Sequence, residues 1–119
     1  MRHWTEAAEH HLDNKKLMKY RGGVQVKITA VFKRPANHYK RKIRGNDERL
    51  TMKAPRGHFQ KPDCDNISKF VGDCLSGLAF YDDCQISSLR VDKRWSHTRS
   101  YTKVQIVYLN RQLYNTVVF

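Results

Sequence analysis

The 119-residue chain predicts an α+β fold: a small mixed sheet of three to four strands packed with two helices. Three stretches carry that expectation. Val24 to Phe32 places Val24, Val26, Ile28, Ala30 and Phe32 on one parity, the period-two pattern of a half-buried strand. Ile67, Phe70, Val71, Cys74, Leu75 and Leu78 recur at helical spacing, and two further strand-like segments follow. A chain this long supports one modest core, so residues 1–119 read as a single domain with a basic loop at 34–61 and a short C-terminal tail at 110–119.

Taken in order, Trp4 to Tyr20 suits a first helix, with Trp4, Ala7, Ala8, His11 and Leu12 near one face and Gly22 and Gly23 ending it. The strand from Val24 stops at Pro35. Residues 34–61 are too polar and too aperiodic for core and read as a long loop. The central helix follows, with Asp65 as its expected N-cap. Asp65, Lys69 and Asp73 are spaced four apart and line its polar face. After Gly77, a turn through Tyr81, Asp82 and Asp83 leads to a strand near Ile86 to Trp95, in which Leu89, Val91, Lys93 and Trp95 share one parity. Ser96 to Ser100 then joins it, as a hairpin, to a strand over Tyr101 to Leu109. The tail is an edge strand, a partner contact or a frayed end.

Composition narrows the function classes. No apolar run approaches the roughly 18 residues of a membrane span. The N-terminus carries acids and histidines where a secretory signal has its apolar core, which predicts a cytoplasmic protein. Cys64, Cys74 and Cys84 form no C-x-x-C pair, so zinc and a disulfide framework are both disfavoured and packing in a reducing compartment is expected.

The formal net charge is +12, unevenly spread. Residues 1–62 hold 16 Lys and Arg against 5 Asp and Glu, whereas residues 63–119 hold 7 against 6. Within Lys33 to Lys61, ten cations face only Asp47 and Glu48. Such a stretch neutralises phosphates and releases counterions, so Lys40, Arg41, Lys42, Arg44, Lys53, Arg56 and Lys61 are the expected DNA-binding residues.

Directly after this basic loop, KPDCDNISKFVGDCLSGLAFYDDCQ gathers five of the eleven acidic residues. Carboxylates weaken polyanion binding, so their concentration here calls for a reason, and holding a divalent cation against a phosphate supplies one. In an extended Asp63-Cys64-Asp65 the two carboxylates point to the same side, and Asp82-Asp83 must fold back along the helix to join them. Three carboxylates around Mg²⁺ suit phosphodiester hydrolysis, with Lys69 placed to add positive charge at the scissile phosphate or polarise the attacking water. Against this stands a plainer reading, in which Asp65 only caps, Asp65 and Lys69 form an ordinary ion pair and Asp82-Asp83 only turns.

The same stretch, KPDCDNISKFVGDCLSGLAFYDDCQI, resembles the core of the RusA family of Holliday junction resolvases. The shared features are an Asp-x-Asp-Asn, a Lys four residues after the second Asp, a helical Asp and an Asp-Asp pair before a strand. The resemblance implies that Asp63, Asp65 and Asp83 are metal-binding catalytic carboxylates, with Asp82 able to exchange with Asp83, and that Lys69 is the catalytic lysine. It further implies a homodimer that nicks four-way DNA symmetrically with Mg²⁺ or Mn²⁺, in recombination and repair. Family members usually open with a strand and a Pro/Asn-rich segment, whereas this sequence opens almost at the first helix. Two alternatives stay open: a nuclease for other branched or flap nucleic acids, and a non-catalytic DNA-binding regulator.

Overall fold

A computed structural model describes residues 20–40, 49–110 and 113–119, and among these it has an α+β architecture with a four-stranded mixed sheet and one main helix. The elements are β1 (Val24–Lys33), α1 (Cys64–Leu75), β2 (Ile86–Ser96), β3 (Tyr101–Tyr108) and β4 (Leu113–Val118). The first helix expected from the sequence, over Trp4 to Tyr20, lies almost wholly outside the described residues.

The sheet order is β2-β1-β3-β4, with β1 parallel to β2 and antiparallel to β3. This corrects the expected hairpin, because β2 and β3 are separated by β1. Burial explains the difference. Val24, Val26, Ile28, Ala30 and Val31 make β1 the most apolar strand, and the centre of a sheet covers it from both sides. The more polar β2, with Ser87, Ser88, Leu89 and Arg90 all exposed, takes an edge. Of the three fates open to the tail, the structure selects an edge strand: β4 pairs antiparallel with β3 from Lys103↔Val118 to Tyr108↔Leu113.

α1 packs on one face of this sheet. Ile67, Val71, Cys74 and Leu75 meet Val24, Val26, Ile28 and Ala30 of β1, Val104 and Ile106 of β3, and Val117 of β4 in a single core. Burying side chains of this size contributes about 1.5–3 kcal/mol each. Phe80, fully buried just beyond the helix, anchors its exit. There the chain turns at Gly77, whose φ of +84° is readily adopted only without a side chain, and the Gly77 N–H donates to the Phe80 carbonyl. Tyr20 closes the same end. Its N–H donates to Ala79 O, its hydroxyl to Leu109 O, and its ring meets Tyr108 edge-on at 5.2 Å.

The described parts of the 34–61 segment, residues 34–40 and 49–61, are better anchored than their polarity suggests. Arg34, His38, Ala54 and His58 are buried. The His58 ring lies between Phe32 at 4.2 Å and Trp95 at 4.3 Å, and Arg34 donates to Pro55 O at 2.7 Å while stacking over Trp95. Trp95 Nε1 donates to Gly57 O at 3.0 Å. Carbonyls captured by side chains, with aromatic rings as the packing surface, replace the periodic apolar pattern that a helix or strand would have shown.

Candidate active site

The residues singled out by sequence fall at the two ends of α1. At its N-terminus, Asp63 and not Asp65 is the cap: the Asp63 carboxylate accepts from the Asn66 N–H at 2.8 Å. Asp65 lies in the first turn, where the positive end of the helix dipole favours an anion. Because the helix already begins at Cys64, the period-two relation expected between Asp63 and Asp65 does not hold. Asp65, Lys69 and Asp73 are all exposed at successive turns, as their spacing predicts.

Lys93 holds this end in place. Its ammonium donates to Gln60 O at 2.6 Å and Pro62 O at 3.0 Å, fixing the chain directly before Asp63, while Cys64 Sγ contacts Val91 O at 3.9 Å. Sequence reading did not single Lys93 out, although a lysine sharing parity with Leu89, Val91 and Trp95 on a core-facing strand was the available signal.

The other end is a short 3-10 turn, Asp83–Gln85, capped by Asp82. The Asp82 carboxylate accepts from the Cys84 N–H at 2.9 Å, and Gln85 Oε1 accepts from the Asp82 N–H at 2.9 Å and the Tyr81 N–H at 2.7 Å. Gln85 Nε2 donates in turn to Tyr20 O and Gly22 O, tying the turn to the entry of β1. Gln85 is the second positioning residue that sequence reading missed. It stands three residues beyond Asp82, the spacing of a capping box.

The two neighbouring acids divide their roles. The Cys84 N–H, followed by a hydrogen bond from Asp83, holds Asp82 below the usual carboxylate range. That hydrogen bond to Asp82, then the charges of Asp82 and Asp73, push Asp83 above it. The Cys84 thiol is likewise raised, first by its hydrogen bond to Asp82.

The charges that raise Asp83 are those of Asp82 and of Asp73 on α1. Asp65 and Asp73 are eight residues apart on one helix, about 12 Å of rise. Among the described residues, no three His, Cys, Asp or Glu side chains lie close enough together to hold a metal ion. Instead of the doubling back along the helix expected from the sequence, the chain from Gly77 packs through the buried Phe80 and is tied by Gln85 to Tyr20 and Gly22. The donor chemistry itself suits a hard cation, since all the acids present oxygen and Asp83 carries a repulsion that a cation would relieve.

Beside α1 lies a mostly apolar groove of about 480 Å³, bordered by Phe32, Pro62, Phe70, Thr102, Lys69 and Asp73. Of the expected DNA-binding residues, Lys40, Lys53, Arg56 and Lys61 are exposed. Arg41, Lys42 and Arg44 fall outside the described residues.

A family profile described as Endodeoxyribonuclease RusA matches residues 1–107. The chain belongs to the RusA family. The match covers the basic loop, both ends of α1, β1, β2 and all but the last residue of β3, so it takes in Asp63, Asp65, Lys69, Asp82 and Asp83. RusA-family proteins are endodeoxyribonucleases that act on branched DNA junctions, and the α+β sheet with its one main helix fits that assignment. Neither a curated protein nor a solved structure gives a match. Among the described residues, no helix is long and apolar enough to cross a membrane.

Proposed function

We propose that this RusA-family chain is a Mg²⁺- or Mn²⁺-dependent resolvase that cuts four-way DNA junctions by paired nicks in recombination and repair, acting as a homodimer. Its catalytic residues are Asp63, Asp65, Lys69 and Asp83. The family match over residues 1–107, which includes all four, carries the reading.

Asp63, Asp65 and Asp83 would hold the metal, which supplies Lewis acidity and a water of lowered pKa. Asp83 is preferred to Asp82 because Asp82 is committed to its cap. Lys69, one turn beyond Asp65, places a cation beside the carboxylates and offsets charge developing on the phosphate. The cations Lys40, Lys53, Arg56 and Lys61, with Arg41, Lys42 and Arg44, bind the DNA backbone.

Separation of the acids to the two ends of α1 favours a site shared by two copies. A two-fold axis that sets two α1 helices antiparallel brings Asp63 and Asp65 of one copy toward Asp83 of the other, and a four-way junction presents two equivalent strands to such a pair.

Labelled junction should be nicked by the wild type with Mg²⁺ and left intact without it. Asp65→Asn and Asp83→Asn should each abolish cutting while retaining binding, and mixing the two variants should restore part of the cutting through mixed dimers. Full activity in both variants would refute the site. Loss of each activity without restoration would keep the residues but remove the shared arrangement.

A second reading has its own support: Asp63 and Asp82 both act as caps, as expected of a non-catalytic DNA-binding protein. Under it, Mg²⁺ yields no nicks on any junction, fork or flap.

A further inference from the structure

The face of the sheet turned away from α1 carries a second cationic surface that the basic loop does not include. On it lie Lys27 and Lys33 of β1, Arg90 and Arg94 of β2 and Lys103 of β3, with Asp92 as the one acid among the described strand residues of this face. Lys27, Lys33, Arg90 and Arg94 are exposed, and Lys103 is half-buried. Asp92 is already taken up by Arg90, at 2.9 Å. Lys27, Lys33, Arg94 and Lys103 form no ion pair with any described residue.

Register concentrates these charges. Lys27 pairs directly with Arg90 across the parallel β1/β2 ladder, and Lys103 pairs with Thr29, one step along the same face. Asp92 offsets Arg90 within this row, which leaves Lys27, Arg94 and Lys103 as the cations that an external anion would meet. With strands about 4.8 Å apart and alternate residues about 6.6 Å apart, the cations cover roughly 10 by 20 Å, a patch that fits one backbone of a duplex.

The patch also adjoins the candidate active site. β2 is an edge strand, and Cys64 Sγ meets Val91 O and Lys93 holds the Pro62 carbonyl on its α1 side. Arg90 and Arg94 alternate with Val91 and Lys93 and project from the opposite side. One strand thus separates the carboxylates at the start of α1 from the cations of the outer face.

Building on the nuclease reading above, we infer that the outer face of the sheet, through Lys27, Arg94 and Lys103, is a second DNA-binding surface that grips the phosphate backbone of a duplex arm as it passes around the β2 edge. It acts beside the 34–61 loop and is independent of base sequence.

The test is binding of the full chain to a four-way junction and to a linear duplex across a series of salt concentrations, for the wild type and a Lys27→Gln, Arg94→Gln, Lys103→Gln triple variant. Each lost phosphate contact lowers the slope of log K against log salt by about 0.9, so the triple variant should lose about 2–3 in slope on both DNAs. Amine-reactive labelling of the wild type gives a second readout that does not depend on the variant folding: duplex DNA should protect Lys27 and Lys103. An unchanged slope together with unprotected lysines overturns the proposal and leaves the nuclease reading intact. Protection by single-stranded DNA alone overturns the duplex assignment. A wild-type chain that binds neither DNA removes both readings.

Discussion

The two ends of α1 solve the same local problem with the same division of labour. At the N-terminus Asp63 caps the helix and Asp65, two residues on, keeps its carboxylate clear of the cap. After the C-terminus Asp82 caps the 3-10 turn and Asp83, the next residue, is the one whose carboxyl is raised by its neighbours. Each end thus carries one acid that shapes the backbone and one that does not. They differ in what holds them. The first end rests on a lysine, Lys93, reaching two carbonyls at the open side of the sheet, whereas the second is locked by the fully buried Phe80 and by Gln85. In the proposed site, the turn held by Phe80 and Gln85 would supply fixed geometry and the more open first end would give DNA access.

Removing the lock on the second end is the severest way to break this comparison. Phe80→Ala should cost about 3–5 kcal/mol of stability, because it leaves a cavity the surrounding core only partly refills. Urea unfolding of the two proteins measures it. A loss below about 1 kcal/mol would show that Phe80 is not the anchor of that turn.

The division of labour itself is sharpened by two isosteric changes. Asn caps as well as Asp, so Asp82→Asn keeps the turn and should cut a junction within a few-fold of the wild type. Asp83→Asn should lose about 100-fold or more, on the scale of about 2.7 kcal/mol of transition-state stabilisation. Single-turnover cleavage rates compare them, and equal losses would mean that the cap and the catalytic acid are not separate.

How far the sequence made these ends legible follows from which interactions are local. The strand β1, the helix α1 and the parity of Leu89, Val91, Lys93 and Trp95 were readable because hydrophobic period alone dictates them. The pairing of β2 was not: adjacency in sequence suggested a hairpin with β3, yet β1 needed cover on both sides and took the place between them. The cap was misplaced by two residues because Asp63 and Asp65 are equally good cap residues, and helix start is decided by a single hydrogen bond to Asn66. The acids themselves and their basic surroundings were legible, but the placement of Asp82 and Asp83 relative to α1 was not. That depends on the path from Gly77 to Gln85, which is fixed by Phe80 burial and by contacts to Tyr20 more than sixty residues away in sequence.

The cap at the first end offers a smaller test. Asp63→Ala should destabilise the chain by about 1 kcal/mol, and Asp63→Asn by much less, since only the former leaves the Asn66 N–H without its acceptor. Thermal unfolding resolves the pair, and equal shifts would show that charge rather than capping is what Asp63 contributes to stability.

The gentlest perturbation bears on the ground the first end stands on. His58 packs in the Phe32 and Trp95 stack beneath the segment that leads to Asp63, with its Nδ1 buried and without a hydrogen-bond partner among the described residues. Burial, and then the charge of Lys93, push its pKa below the ordinary 6.5. The unfolded chain therefore takes up a proton at His58 more readily than the folded one. Above pH 6.5 both states hold the neutral ring and His58 contributes no slope. As pH falls through 6.5 toward the lower folded pKa, the unfolded state gains protons first and stability declines. His58→Phe keeps the stack but cannot titrate, so its stability should fall less steeply over that window, while Asp82, whose pKa is lowered from 3.8, acts only at more acid pH. Urea midpoints measured every half unit from neutrality downward would reveal the difference. Parallel profiles for the two proteins would mean that the ring accepts its proton in place, and that the first end of α1 does not depend on a neutral His58.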